Sequence, residues 1–185
     1  MRTIYFLHGG SAQHTNPKND SFFSDILKRA ISENVKILLV HFAGNPERAE
    51  LNKQIDSDQF ERNKGKLNIT IKIATKENFV KETTWADVIY FGGGTTIKLL
   101  EELKDFPNLK ENFEGKIIAG ESAGANFLAT QCYSKSGGGI IKCLGILPVF
   151  MYPHFEKDSP LPTEKIPDNL QKLFLSNYEY RVIED

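Results

Sequence analysis

The chain has 185 residues, a length that favours one domain, residues 1–185, with a substantial core. Its formal net charge of −1 provides no overall field for nucleic acid or an anionic membrane, and no apolar run approaches the length that spans a bilayer. The two cysteines, Cys132 and Cys143, favour free thiols in a reducing compartment over a bridge between them. We therefore expect a cytoplasmic monomer or homodimer without a nucleic-acid or membrane partner.

The first two thirds of the chain alternate between strand-like and helix-like segments. Short apolar or period-two runs predict strands at residues 3–7, 35–42, 67–73, 87–91 and 116–119. Apolar residues at helical spacing predict helices at 21–32 and 95–103, another within 46–63, and one that opens at Ala123. This alternation indicates an α/β fold with a three-layer, doubly wound, mostly parallel sheet.

The last third of the chain is less regular. Residues 133–145 are rich in serine and glycine and predict a loop, and residues 149–155 are a strand-like run. Residues 158–168 contain three prolines and predict a second loop, which leads to an expected last helix at 169–175 and a final strand at 178–183. An α/β domain seldom ends on a strand, so we expect a trimmed form of a longer protein.

The segment Gly120-Glu121-Ser122-Ala123-Gly124 fits the pattern G-x-S-x-G between a predicted strand and a predicted helix. A serine at such a turn holds its hydroxyl above the sheet edge, where the helix N-terminus also points N–H groups. The pattern therefore predicts a serine nucleophile. The alternative is a plain connection in which Ser122 only caps the helix. Glu121 is expected to be a surface or packing residue, or else to contact a substrate amine.

A serine nucleophile needs a base, and the chain has four histidines: His8, His14, His41 and His154. Each lies near a predicted strand end or in the loop after one, close to the edge where parallel sheets bind ligands. We select His154 because it follows the serine in the chain, as in many α/β hydrolytic sites. The alternative is a histidine that ends a strand and bonds only to the backbone.

Three consecutive glycines, Gly92, Gly93 and Gly94, precede Thr95 at another predicted strand-to-helix junction. Glycine lets the backbone approach a ligand closely, so this loop is a candidate oxyanion hole, with the N–H of Ala123 as a second donor. Gly93 is the expected oxyanion donor of this loop, whereas Gly92, Gly94 and Thr95, together with Glu121, are expected to line the substrate site. The alternatives are a phosphate cradle, although no complete nucleotide-binding motif follows, and a flexible turn.

Together, these segments resemble the S51 family of serine peptidases, the peptidase E group. The resemblance rests on residues 91–96, on residues 120–126, and on Leu147-Pro148 followed by residues 152–155, which occur in the family's order. It covers almost the whole chain. It implies a fold similar to class I glutamine amidotransferases, with serine in place of cysteine. It also implies hydrolysis of small peptides, such as dipeptides with an N-terminal aspartate or β-aspartyl-arginine units.

The resemblance also implies roles for individual residues. Ser122 is then the nucleophile and His154 the base, while the N–H groups of Gly93 and Ala123 hold the oxyanion. This chemistry requires no metal and no organic cofactor.

The acid of the peptidase E triad lies near the end of a late strand, which corresponds here to residues 182–185. Asp185 is the first choice for that acid and Glu184 the second. They are the last two residues of the chain.

The chain departs from peptidase E after its Pro-His-Phe segment. Peptidase E has an arginine-containing helix there, whereas residues 156–172 contain no arginine and offer only Lys157, Lys165 or Lys172 as replacements. Two other functions are therefore compatible with the sequence: a binding domain with a degraded peptidase site, and an esterase or amidase on the same scaffold.

Overall fold

The computed structural model describes residues 2–162 and 166–185. The first part of the described chain alternates strands and helices: β1 Ile4–His8, α1 Pro17–Lys28, β2 Asn34–Val40, α2 Pro46–Asn63, β3 Asn68–Ile73, α3 Phe79–Trp85, β4 Val88–Phe91, α4 Thr96–Leu103, α5 Leu109–Phe113, β5 Ile117–Glu121 and α6 Ala123–Leu128. Strands dominate the rest: β6 Ala129–Ser134, β7 Gly139–Lys142, β8 Leu147–Pro153, β9 Gln171–Leu175 and β10 Tyr180–Glu184.

The main sheet has six strands in the order β10-β1-β5-β4-β2-β3. Strands β1 to β5 run parallel, and β10 is antiparallel to β1 at one edge. The carboxyl ends of β1, β4 and β5 therefore meet at one edge, where ligands bind in open α/β sheets. The sequence-based expectation of an α/β fold with a mostly parallel sheet is confirmed.

Two apolar layers cover the faces of this sheet. On one face, α1 and α2 pack aromatic side chains, among them Phe23 and Phe60, against Tyr90 of β4. On the other face, the remaining helices and the second sheet contribute buried residues such as Phe79 and Phe127 to a single cluster. The buried strands thus have apolar partners on both sides, as their near-continuous apolar runs predict.

The second sheet has the order β7-β6-β8-β9, and its strands β6, β8 and β9 are parallel. The sequence predicted a loop at residues 133–145. The structure places the end of β6 and all of β7 within it, and residues 135–138 and 143–145 remain outside the strands. Among the described helices, none is long and apolar enough to cross a membrane.

The predicted last helix is wrong, because residues 171–175 form β9 and pair with β8. The spacing of Leu170, Leu173 and Phe174 fits one face of a helix, which explains the error. In the structure Leu173 and Leu175 face the core while Phe174 stacks on Phe155 with ring centroids 5.0 Å apart. Pairing with β8 therefore outweighs the local helical spacing.

Candidate active site

Ser122 forms the junction between β5 and α6. Its backbone angles, φ 50° and ψ −101°, lie in a region that non-glycine residues seldom occupy. The tight turn needs glycine on both sides, because a Cβ on Gly120 would lie 2.4 Å from the backbone of Gly124, and one on Gly124 would lie 2.1 Å from the carbonyl oxygen of Phe91. Ser122 makes no side-chain capping bond to α6, so the alternative of a simple helix cap does not describe it.

His154 lies next to Ser122, just beyond the end of β8. Its Nε2 is 2.8 Å from the Ser122 hydroxyl oxygen. Its backbone N–H donates to the carbonyl of Gly9 at 2.7 Å, which fixes the turn after β8 against the turn after β1. The structure therefore brings together the two residues that the sequence selected as nucleophile and base.

Asn177 occupies the third position of this chain of side chains. Its Oδ1 lies 2.6 Å from His154 Nδ1. Because Oδ1 accepts a hydrogen bond, Nδ1 carries the ring proton and Nε2 is free to accept the Ser122 proton. Asparagine orients the catalytic histidine in this way in some cysteine peptidases. The turn that carries Asn177 is anchored to the same loop as His154, since the Tyr178 N–H donates to the Gly10 carbonyl at 3.0 Å.

The structure corrects the expected acid, Asp185, and its second choice, Glu184. Because β10 is antiparallel to β1, Glu184 pairs with Ile4 at the start of β1, whereas His8 at its end pairs with Tyr180. Asp185 follows at the same far edge. At about 3.3 Å per residue, both lie roughly 15 Å along the sheet from the edge that carries Ser122. Glu184 instead forms ion pairs with Arg2 and Arg29.

Asn177 was not found from the sequence because the strand before it was predicted as a helix. Strands β8 and β9 are parallel neighbours, with Pro153 paired to Leu175. The residues that follow them, His154 and Asn177, therefore emerge at the same edge. Recognition of a strand at residues 171–175 would have pointed to Asn177.

The other three histidines have different environments. His14 is exposed, with Nδ1 3.3 Å from the Tyr178 hydroxyl. His41 is buried beside Asp56. His8 is fully buried; the Gly10 N–H donates to its Nδ1 at 3.1 Å, so its Nε2 donates to Asn19 at 3.0 Å.

The buried His8 makes the folding free energy sensitive to acid. Burial lowers the pKa of His8 from 6.5 to about 4, although the hydrogen bond to Asn19 raises it. Between these values the unfolded chain binds a proton that the folded chain does not, so stability falls as the pH falls. We expect a loss of about 3 kcal/mol from pH 7 to pH 4. Urea unfolding of the wild type and His8→Gln tests this; an equal pH slope in the two proteins contradicts it.

The glycine-rich loop packs against side chains that the sequence did not connect with it. A Cβ on Gly92 would lie 2.7 Å from the ring of His41, and one on Gly93 would lie 2.0 Å from Glu121 Oε2. Gly94 has φ +143°, and a Cβ there would lie 2.2 Å from the carbonyl oxygen of Ala43. The three glycines therefore allow close packing around the site. Thr95 follows as the residue before α4 and donates its N–H to Ala43.

Glu121 is buried, unlike the surface residue that the sequence allowed. Burial raises the pKa of Glu121, while His154 and backbone N–H donors from Ala12, Ser11 and Gly93 lower it. The Gly93 N–H, expected in the oxyanion hole, thus already has the Glu121 carboxylate as an acceptor. The N–H of Ala123 belongs to the first turn of α6, where N–H groups lack partners within the helix.

A pocket of about 350 Å³ opens over Ser122 and His154. Gly93, Gly94 and Glu121 line it as well. A larger cavity of about 840 Å³ lies at the opposite end of the sheet, beside Arg2 and Lys116, but no histidine among its described lining residues could serve as a base for its serine, Ser32. We therefore place the site at the smaller pocket. Lys157 and Lys172 are exposed and absent from its lining, and Lys165 lies outside the described residues.

Gly10 leaves room for the imidazole of His154. Its φ is +131°, and a Cβ there would lie 2.0 Å from His154 Cε1. We expect Gly10→Ala to displace the ring and lower kcat/KM by about 10²-fold or more, as small misplacements of catalytic groups do. Gly138→Ala is the matched control, because Gly138 also has a positive φ, +75°, but faces open space. Equal activity of the two variants contradicts the prediction.

The chain is similar to known proteins in sequence and in fold. The sequence profile named Peptidase family S51 matches residues 5–182. The fold is similar to a crystal structure of a peptidase from an acI-B1 Actinobacterium (TM-score 0.73, 23% identity, 99% of this chain and 84% of the other). It is also similar to a candidate peptidase E from Listeria monocytogenes EGD-e (TM-score 0.68, 19% identity, 100% and 98%). No curated protein sequence matches. From the profile match over residues 5–182, we conclude that the chain belongs to peptidase family S51.

Proposed function

We propose that the protein is a serine peptidase that hydrolyses small peptides through an acyl-enzyme on Ser122. The observation that carries the proposal is the continuous chain of contacts from Ser122 Oγ to His154 Nε2, at 2.8 Å, and from His154 Nδ1 to Asn177 Oδ1, at 2.6 Å. Nucleophile, base and orienting group are thus within hydrogen-bond reach of one another, as nucleophilic catalysis by serine requires.

In the acylation step, His154 Nε2 takes the proton of the Ser122 hydroxyl while the oxygen forms a bond to the substrate carbonyl carbon. The carbonyl electron pair moves to its oxygen, and the N–H of Ala123 faces the charge that develops there. When the intermediate collapses, the C–N bond breaks and the amine leaves with the proton from His154. Water then attacks the acyl-enzyme with His154 again as base, which releases the carboxylic acid and restores Ser122.

Gly93 is the second oxyanion donor in this proposal. Since its N–H contacts Glu121 in the structure, it must be shared between that carboxylate and the substrate oxygen. One oxyanion donor is typically worth about 3 kcal/mol in the transition state.

The dimensions of the pocket support a small substrate. Its volume of about 350 Å³ is near the lower end of the range for small-molecule sites. A dipeptide fits such a volume better than an extended protein chain, so we propose dipeptidase activity, with dipeptides that begin with aspartate among the candidates.

A dipeptide panel tests this function. The wild type is incubated with dipeptides that carry acidic, neutral and basic N-terminal residues, and released amino acids are quantified by chromatography. We expect time-dependent hydrolysis that Ser122→Ala, purified in parallel, lacks. Hydrolysis of simple esters alone indicates an esterase instead. Absence of any turnover, with dipeptides bound unchanged, indicates a binding domain.

A further inference from the structure

Two buried acids share the pocket with Ser122 but have no part in the proposed acyl transfer. Glu121 is 7% exposed and Asp56, on α2, is 6% exposed, and both line the pocket. They lie close enough for the charge of Glu121 to raise the pKa of Asp56 further, after burial itself. Two carboxyl groups in one buried space either retain a proton between them or bind a cation, because two negative charges are poorly solvated there.

Glu121 is held in a fixed orientation. Its carboxylate accepts from backbone N–H groups of Ser11, Ala12 and Gly93. It also immediately precedes Ser122 in the chain. Both residues line the same pocket, and the charge of His154 lowers the pKa of Glu121, so a group that binds Glu121 lies near the nucleophile and its base.

His41 provides an independent sign of an incomplete polar site. Its side chain is only 5% exposed and lines the same pocket. Its Nε2 lies 3.3 Å from Asp56 Oδ2 but off the line of a hydrogen bond, and it has no hydrogen-bond partner among the described residues. A buried polar nitrogen without a partner is uncommon in a finished structure and is expected where a ligand completes the site.

The charged and neutral groups that line the pocket indicate the charge of the ligand. Within the described residues, no lysine or arginine lines the pocket. Burial lowers the pKa of His41 to about 4, so His41 is neutral near pH 7. Apart from Ser122 and His154, the remaining polar lining consists of neutral amides: Gln13, Asn45 and Asn52. Besides the two histidines, the described lining therefore contains two carboxyl groups and no basic side chain.

We propose that Glu121 and Asp56 form a subsite for the free α-ammonium group of the substrate's N-terminal residue. The proposal rests on the proposed peptidase function. The α-nitrogen is separated from the scissile carbonyl carbon by one atom, so a carboxylate adjacent to Ser122 suits it better than a distant side-chain cation. The enzyme then acts on unblocked N-termini, removing one residue at a time from very short peptides.

Matched substrates test the subsite. Hydrolysis of Ala-Ala amide is compared with that of N-acetyl-Ala-Ala amide, followed as cleavage of the bond after the first alanine. We expect kcat/KM to fall by at least about 10²-fold on acetylation, comparable with the loss of a buried charged contact. The Glu121→Gln and Asp56→Asn variants should shrink this ratio to less than about tenfold, through a higher KM for the free amine. If the two acids have only a structural role, the variants should lower kcat/KM for both substrates by the same factor.

Asp58→Asn is the matched control, because Asp58 is exposed on the same helix as Asp56. It should keep the wild-type ratio. Activities are normalised to the rate at which an amine-free fluorophosphonate labels Ser122 in each variant.

The remaining outcomes distinguish an α-ammonium group from a side-chain cation as the ligand. They also distinguish failure of the subsite proposal from failure of the proposed peptidase function. Preference for N-acetyl-Arg-Ala amide over Ala-Ala amide assigns the subsite to a side-chain guanidinium and overturns the α-ammonium proposal. Turnover that acetylation leaves unchanged also overturns it, while the peptidase function stands. If no peptide is cleaved, the peptidase function fails. Calorimetry of Ser122→Ala with Ala-Ala amide and its acetylated form then still tests the subsite, and equal affinities overturn it.

Discussion

The Ser122→Ala variant should lose about 10⁴-fold or more of kcat/KM on any dipeptide that the wild type cleaves, because the bond to the acyl carbon can no longer form. The fold should persist, since alanine keeps the Cβ and makes the same backbone bonds, including the Ser122 N–H to the His8 carbonyl at 3.0 Å. Steady-state kinetics and thermal melting measure the two effects separately.

Ser21→Ala is the control for this prediction, because Ser21 is exposed on α1, away from the pocket. It should keep wild-type activity. A Ser122→Ala protein that retains activity within tenfold of the wild type shows that Ser122 is not the nucleophile.

Asn177→Ala should lower kcat by about 10²-fold or more with a small change in KM. Without Oδ1, the Nδ1–H of His154 loses its acceptor, and neither the tautomer nor the ring orientation remains fixed. Asn177→Asp keeps an acceptor oxygen and should retain much more activity. Its added negative charge favours the protonated imidazole, so the acidic limb of its pH–rate profile should shift to higher pH. A packing defect alone does not produce that shift.

Asp185→Ala provides the comparison for Asn177. Asp185 lies at the far edge of the sheet and donates its backbone N–H to the Thr3 carbonyl, a contact that the substitution keeps. We expect unchanged kinetics. If Asp185→Ala abolishes turnover while Asn177→Ala does not, the assignment of the orienting residue is wrong.

The alternating part of the fold could be predicted because β1, β2, β4 and β5 are largely buried and read as apolar runs, whereas the half-buried edge strand β3 has a period-two pattern. Helix α1 begins four residues before the predicted start at Ser21, since Asn16 accepts the Lys18 N–H and Pro17 fits the first turn. The second sheet could not be predicted in the same way. Apart from the buried β8, its strands are partly exposed, and β9 depends on β8 for its register.

The candidate site was predictable where a local motif determines geometry. The turn at Ser122 and the strand end before His154 both have sequence signals, and parallel strands deliver their ends to one edge. The positions of Asn177 and Glu121 depend on tertiary contacts instead. An amide in a turn has no signal of its own, and the burial of Glu121 follows from loops at Ser11 and Gly93 that approach it in space.

Intact-mass spectrometry after treatment with a small fluorophosphonate tests the central claim, that Ser122 is an activated nucleophile, most directly. We expect one adduct per wild-type chain, located on Ser122 by peptide mapping, with none in Ser122→Ala and much slower labelling in Asn177→Ala. An unmodified wild type, or an adduct that persists in Ser122→Ala, contradicts the account.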